Sequence, residues 1–127
     1  YYHAEAQRSK KKADYHEAAR WYREFLQSFP DDPESAGTNY LLADALFESE
    51  DFRAAAVEYE RTAYAYPFHA KSAEAGYAAL VCYEREAKSL DGAALAAWDR
   101  QRLDSQQRFA VTFPSHAESA ALLTRTA

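Results

Sequence analysis

The residues best suited to chemistry in this chain are four histidines, one cysteine and a few pairs of adjacent carboxylates. His69 and His116 each follow a proline by two positions, and such a recurrence could indicate metal ligands. The two residues lie 47 positions apart, however, and no His-x-x-x-His pair or matching carboxylate spacing accompanies them. His3 and His16 also lack partners at a ligand spacing. We therefore expect His69 and His116 to support helix starts, and we predict no metal and no cofactor.

Motifs of enzymatic chemistry are missing from the sequence. It contains no glycine-rich phosphate loop, no Gly-x-Ser-x-Gly turn and no His-Glu-x-x-His pair. The pair Asp31-Asp32 precedes a predicted helix, where negative charge is favourable because of the helix dipole. Cys82 lies in an apolar run, which predicts a buried side chain, and a single cysteine forms no intrachain disulfide. We predict that the chain is not an enzyme.

Composition limits the fold class and the kinds of partner. The 127 residues are about the length of one domain, and only 3 glycines and 4 prolines favour an all-α chain. Apolar residues make up 48% of the sequence, which is enough to form a core. The net charge of −5 disfavours binding to nucleic acid or to an anionic membrane surface. Apolar runs fall short of the roughly 18 residues that span a bilayer, so we expect no direct membrane insertion.

A short motif occurs three times along the chain. An aromatic residue precedes each of Pro30, Pro67 and Pro114, and Ser-Ala follows each proline at the fifth and sixth positions. The prolines are separated by 37 and then 47 residues. Each interval carries two apolar stripes with the 3.6-residue period of a helix. The motif therefore predicts a repeat of helix pairs, each ended by its proline.

The helix boundaries follow from the stripes and from the capping residues. Asp14 with Glu17 and Ser115 with Glu118 match the pattern of a capping box, and Asp32 is the expected cap of the helix after Pro30. The predicted helices cover residues 1–12, 14–29, 33–49, 51–66, 70–88, 91–113 and 115–127. Short connections make neighbouring helices antiparallel, and no segment alternates with the period of a strand. Close helix crossings are predicted at Ala18, Ala43, Ala55 and Leu80.

The predicted helix over 91–113 is longer than the helices before it, at roughly 21 residues, or about 31 Å, from Asp91 as its cap. Its first turns carry Leu95 and Trp98. These apolar side chains either pack against the end of the preceding helix pair or form an exposed patch that serves as an interface. The burial of Trp98 distinguishes the two interpretations.

Helix pairs with this spacing resemble tetratricopeptide repeats. The residues that carry the resemblance are Leu42, Ala43, Leu46 and Phe47 in a first helix, and Asp51, Phe52, Ala55, Tyr59 and Pro67 in a second. A further copy contains Tyr77, Leu80 and Tyr83, but its second helix is about ten residues longer than in the family. The resemblance implies an α-α superhelix in one domain, 1–127, with repeats at about 1–32, 33–69 and 70–116 and a trailing helix at 117–127.

In that family the first helix of each pair lines a concave groove that holds a peptide. The resemblance places His3, Gln7, Lys10 and Lys11 in the groove, followed by Tyr40, Asp44, Phe47 and Glu48, and then by Tyr77, Val81, Glu84 and Arg85. Tyr40 and Tyr77 occupy equivalent positions, and they either anchor a ligand or pack against the next helix. The lysines and asparagines that clamp a carboxylate in some members are replaced here by Tyr40, Asp44 and Glu84.

The leading hypothesis is therefore a protein-interaction scaffold that binds a peptide or partner protein, and we expect no nucleic-acid partner. The alternative is a structural spacer or self-association module, with a possible homodimer. The step of 37 residues and the Phe/Tyr-Pro motif resemble the variant of bacterial envelope proteins such as the Tol–Pal coordinator and the β-barrel assembly lipoprotein. This implies a periplasmic or outer-membrane location, with a cytoplasmic one as the alternative. We expect the chain to be part of a longer protein.

Overall fold

A computed structural model describes residues 11–117 and Ser119. Over these residues the chain forms five α-helices and no β-strand, which confirms the prediction of an all-α fold. The helices are α1 (Lys12–Ser28), α2 (Ser35–Glu48), α3 (Phe52–Glu60), α4 (Ser72–Ala87) and α5 (Gly92–Thr112), and α3 continues as a π-helical turn over Arg61–Ala65. Residues 1–10 of the predicted helix over 1–12 and most of the helix predicted over 115–127 lie outside the described residues, as do His3, Gln7, Lys10 and Glu118.

Each helix packs mainly against the helices that come before and after it in the chain. Small side chains make these contacts close, because Ala18, Ala43 and Ala55 are each 0% exposed. Leu80 is also buried, in a smaller apolar cluster with Phe109. All four positions at which the sequence predicts close helix crossings are therefore buried.

Gly76 marks a close approach between α4 and the residues around the end of α5. A Cβ atom at this position would lie 2.9 Å from Cδ2 of Phe109 and 3.2 Å from Cε2 of Phe113. It would also lie 3.2 Å from the hydroxyl of Tyr64. The glycine is therefore required by the aromatic side chains that pack on α4 at this point.

The serine of the repeated motif has a clear structural role. Ser35 Oγ donates a hydrogen bond to the carbonyl oxygen of Phe29 at 2.7 Å, and Ser119 Oγ donates to that of Phe113 at 2.5 Å. Each carbonyl belongs to the aromatic residue before the proline, where the helix ends and leaves its last carbonyls without helical partners. Both serines are buried. The spacing from proline to serine thus produces a buried cap at two of the three copies of the motif, whereas Ser72 in the remaining copy accepts a hydrogen bond from the N–H of His69.

His69 supports the start of α4, as the sequence predicts. Its backbone N–H donates to Ser72 Oγ at 2.9 Å, and its ring Nδ1 accepts from the N–H of Lys71 at 3.2 Å. Because Nδ1 is an acceptor, the ring proton lies on Nε2, which donates to the carbonyl oxygen of Thr62 at 2.9 Å. The ring thus joins the π-helical turn to the next helix.

Three of the predicted helix starts differ from the structure by two residues, and one of them is α4, which begins at Ser72 instead of residue 70. Helix α1 begins at Lys12 instead of residue 14, and Glu17 accepts hydrogen bonds from Arg20 and Trp21 and forms no capping box. Helix α2 begins at Ser35 instead of residue 33. Asp32 Oδ1 accepts from the N–H of Glu34 at 2.8 Å, so this side chain closes a turn that precedes the helix.

The π-helical turn at the end of α3 was not predicted. Two side chains donate to the carbonyl oxygen of Glu58 at 2.8 Å, namely Nδ2 of Asn39 and Oγ1 of Thr62. Side-chain donors that enter the regular ladder of a helix disturb its spacing. We attribute the π-helical turn to this competition for one carbonyl.

Helix α5 has the length predicted for it and packs within the chain. Trp98 is 6% exposed, and its Nε1 donates to the carbonyl oxygen of Tyr83 at 3.0 Å. The guanidinium of Arg53 lies 4.8 Å from the centre of the Trp98 ring and forms an ion pair with Glu86. Packing against the preceding helix pair is thus confirmed, and the interpretation of Trp98 as an exposed interface residue is wrong.

Tyrosines at the α3–α4–α5 contact differ in how their hydroxyl groups are satisfied. Tyr83 Oη donates to Glu60 at 2.7 Å, and Ser105 Oγ donates to the other carboxylate oxygen of Glu60 at 3.2 Å. Tyr64 Oη is buried without a hydrogen-bond partner among the described residues. The guanidinium carbon of Arg108 lies 4.0 Å from the centre of the Tyr64 ring. The Tyr83 hydroxyl therefore stabilises the contact, whereas burial of the unpaired Tyr64 hydroxyl lowers the stability of the fold.

Overpacking tests the helix crossings. We expect Ala43→Leu to lower the free energy of unfolding by about 1–3 kcal/mol, because the larger side chain has no space at this buried position. The melting temperature should fall clearly. The matched control is Ala97→Leu on the exposed side of α5, with a change within about 0.5 kcal/mol. Equal melting temperatures for the two variants would contradict the packing described here.

Removal of single hydroxyl groups should have opposite effects at Tyr83 and Tyr64. Tyr83→Phe leaves Glu60 with one donor fewer, so we expect a loss of about 1.5–3 kcal/mol in the free energy of unfolding. Tyr64→Phe removes an unpartnered buried hydroxyl, so we expect no loss and a gain of up to about 1 kcal/mol. Urea denaturation of both variants measures the difference. A loss at Tyr64 as large as that at Tyr83 would contradict this account.

Candidate protein-binding face

The groove residues predicted for the second and third repeats lie on two helices, α2 and α4. Tyr40, Asp44 and Phe47 follow one another at helical spacing on α2, and Tyr77, Val81, Glu84 and Arg85 do so on α4. We call this set of seven residues the α2–α4 face. Contacts at both ends join its two helices, since Lys71, next to α4, lies 5.8 Å from the Tyr40 ring and Arg85 lies 5.5 Å from the Phe47 ring.

Tyr40 and Tyr77 both pack against side chains that follow them in the chain. The Tyr40 ring meets that of Tyr59 edge to face at 5.8 Å. Tyr77 stacks on His116 at 5.6 Å and contacts Phe109 at 6.0 Å. Tyr77 nevertheless remains 38% exposed. Both tyrosines are therefore held in place by packing, and Tyr77 keeps a substantial surface that a partner could contact.

Asp44 is surrounded by phenolic side chains. Its carboxylate accepts a hydrogen bond from the hydroxyl of Tyr59, a residue of α3. Burial, and secondarily the charge of Asp44, raises the pKa of Tyr59 and that of Tyr22. Burial together with the carboxylates of Asp44 and Glu74 raises the pKa of Tyr40 to about 12. Asp44 therefore has a structural role within the α2–α4 face, because it joins α2 to Tyr59 of α3.

At the other end of the face, Arg85 covers two aromatic rings. Phe47 meets Phe52 edge to face at 5.3 Å, and the Arg85 guanidinium lies 5.5 Å and 6.0 Å from the two ring centres. Phe47 is half-buried by these contacts, whereas Glu84 and Arg85 are exposed and Val81 is partly exposed. This end presents an arginine on an aromatic base, with an adjacent carboxylate.

Lys71 and Glu74 belong to the same face but were not among the predicted residues. Lys71 Nζ and Glu74 form an ion pair at 3.2 Å. The ammonium of Lys71 lies over the Tyr40 ring, and the carboxylate of Glu74 contributes to the raised pKa of Tyr40. They were missed because the prediction used only the equivalent positions of the first helices. The helix start that follows Pro67 could have indicated that Lys71 lies beside Tyr40.

Other candidates for chemistry have structural roles. Cys82 is buried, and burial raises the pKa of its thiol to about 12, so the side chain stays protonated. Over residues 11–117 and Ser119, the side chains of His, Cys, Asp and Glu form no group of three that could hold a metal ion. None of the described helices has the length and apolar character needed to cross a membrane.

Comparison with known proteins gives no independent assignment, since no family model matches the chain and no curated protein is significantly similar to it. The tetratricopeptide resemblance thus depends on the residues quoted above.

The raised pKa values of the tyrosines predict how stability depends on pH. In the folded chain Tyr40 and Tyr59 stay neutral above pH 10, where tyrosines of the unfolded chain lose their protons. The unfolded state then binds fewer protons, so the free energy of unfolding should fall as pH rises above 10.

Tyr59→Phe removes one ionisable hydroxyl group. The free energy of unfolding should then decrease less steeply with pH, and the slope should change by at most about 1.4 kcal/mol per pH unit. Urea denaturation at a series of pH values from 7 to 11 measures the slopes. The matched control is Tyr77→Phe, at the more exposed tyrosine of the face. An identical slope in the wild type and in Tyr59→Phe would refute the prediction.

Proposed function

We propose that this chain is a protein-interaction scaffold of the tetratricopeptide type that binds a peptide or partner protein through the α2–α4 face. The observation that carries the proposal is the continuity of this face across two helices of successive pairs. Lys71 against Tyr40 and Arg85 against Phe47 connect its two sides. In the proposed assembly the helix pairs stack into a superhelix with this face on its concave side.

The chemistry of the face suits recognition of a peptide. Tyrosine and arginine are enriched among the residues that dominate binding energies at protein interfaces. Tyr77 and Arg85 are exposed on α4, and packing already holds Tyr77 and Phe47 in place. Because these side chains are ordered before binding, this chain would lose less conformational entropy when a partner docks. Carboxylates and cations alternate on the face, which favours a partner with charges of both signs.

The location of the chain belongs to the proposal as well. The Phe/Tyr-Pro motif and the 37-residue step support a segment of a larger bacterial envelope protein in the periplasm or at the outer membrane. The net charge of −5 supports a protein partner in preference to nucleic acid.

A structural role is the second candidate, and a specific observation favours it. Tyr40, Asp44 and Phe47 all contact side chains of the chain itself. The α2–α4 face could therefore serve to hold adjacent helix pairs together, or could be covered by a second copy in a homodimer.

Cross-linking, sedimentation and one double variant distinguish the two candidate functions. A photo-reactive phenylalanine analogue is placed at Tyr77 in the natural full-length protein, and the cross-linked partner is identified by mass spectrometry. Sedimentation of the same protein gives its oligomeric state. The scaffold proposal predicts a monomer whose partner binds at least tenfold more weakly after Tyr40→Ala with Tyr77→Ala, while helicity is retained.

Val111→Ala is the matched control, because this valine is exposed on α5 away from the face and should leave binding unchanged. A homodimer cross-linked through Tyr77 to its own second copy would support the structural alternative. Undiminished partner binding by the double variant would refute the assignment of the α2–α4 face.

A further inference from the structure

A second groove lies on another part of the molecule, where the α1–α2 and α3–α4 connections run side by side. Its volume is about 600 Å³, in the range of pockets that hold peptide fragments or small ligands. The side chains that determine its character are Pro30, Asp31, Asp32, Tyr66, Pro67 and Phe68. It shares no residue with the α2–α4 face, so its chemistry is considered separately.

Phe68 is the most prominent side chain of this groove. It is 82% exposed, the highest value among the large apolar side chains of the described residues. Its ring lies 6.3 Å from that of Phe113, so one edge is supported while most of the surface faces solvent. Among the described residues, the N–H and C=O of Phe68 make no hydrogen bond. An exposed aromatic side chain and a free main-chain donor and acceptor therefore occur at one residue.

The charges that line the groove are all negative. Asp31 forms no ion pair or hydrogen bond within the described part of the chain, and no lysine or arginine lines the groove. Asp32 uses one oxygen for the N–H of Glu34 and still carries its charge. His69 also lines the groove, and both of its ring nitrogens are already engaged, with the carbonyl oxygen of Thr62 and the N–H of Lys71.

We propose that this groove binds an extended, proline-containing peptide segment that carries a lysine or arginine. The cation pairs with Asp31, and the apolar part of the segment packs on Phe68 and Tyr66. Aromatic and proline side chains form the usual surface for a polyproline II segment, which loses little entropy because it is already extended. The free main-chain groups of Phe68 favour a peptide over a small organic cation, because they can pair with a peptide backbone.

Charge complementarity selects this partner over the other possible occupants. An acidic segment would meet the unpaired carboxylate of Asp31 at close range, which is unfavourable. The site also lies apart from the face used in the proposed function, so a partner could contact both surfaces at once.

The test uses the ¹⁵N-labelled chain and three capped pentapeptides: Pro-Pro-Arg-Pro-Pro, and matched peptides with glutamine or glutamate in place of arginine. The arginine peptide should shift the backbone amide signals of Phe68, His69 and Asp31 in a saturable manner. The glutamine peptide should bind at least threefold more weakly, and the glutamate peptide should cause no saturable shift. Added salt should weaken only the arginine peptide.

Variants assign the contacts. Asp31→Asn should reduce the affinity for the arginine peptide at least threefold and bring it to that of the glutamine peptide. Phe68→Ala should abolish saturable binding. Because this side chain is largely exposed, the variant should keep the melting temperature of the wild type, which a thermal melt checks. Val57→Ala, an exposed valine on α3 outside the groove, is the matched control.

Several results would overturn the proposal. They are equal binding of the arginine and glutamate peptides, shifts confined to the α2–α4 face, and the absence of any saturable shift. Shifts on the α2–α4 face alone would leave the proposed function intact and remove only the second site. If the partner does not bind to the α2–α4 face but Phe68 responds normally to the arginine peptide, the proposed function is refuted and the second site remains.

Discussion

The fold depends on chain reversals in which a buried serine follows the proline by five residues. After the aromatic residue the proline ends the helix, and a serine five positions later returns to satisfy the exposed carbonyl, as Ser35 does for Phe29 and Ser119 for Phe113. At the reversal that precedes α4, Ser72 Oγ instead accepts from the N–H of His69 at 2.9 Å, and the His69 ring bonds to the carbonyl oxygen of Thr62. The reversals before α2 and α4 therefore share the buried serine but use different partners, and their two loops together enclose the second groove.

The second unifying feature is the use of carboxylates as acceptors for tyrosines between helices. Tyr59 donates to Asp44, and Tyr83 donates to Glu60, so that α2, α3 and α4 are connected in sequence order. Hydrogen bonds to charged groups are stronger than neutral ones, and burial strengthens them further. Such bonds are directional, whereas contacts among alanines are not. The alanines therefore permit the close approach of the helices, and the tyrosine–carboxylate pairs define their register.

Much of the fold could be predicted from the sequence, because helix propensity, apolar period and proline positions all indicate the same helices. The boundaries were less predictable where side chains compete for backbone groups. Asp32 closes a turn instead of capping α2, and Asn39 with Thr62 occupies the Glu58 carbonyl and produces a π-helical turn. For the site, periodicity placed Tyr40 and Phe47 together but could not show that Lys71 and Arg85 cover them. Those contacts depend on how α4 lies beside α2, which no local pattern encodes.

The lone thiol has a consequence for how this chain behaves in different compartments. Cys82 is enclosed between helices, and its raised pKa keeps it protonated, whereas oxidants and disulfide partners attack the thiolate. The folded chain is therefore chemically inert toward disulfide exchange, in a reducing or an oxidising environment alike. The same thiol becomes reactive once the helices separate. The rate at which Cys82 is alkylated therefore measures how readily the helical core opens, and the measurement needs no introduced label.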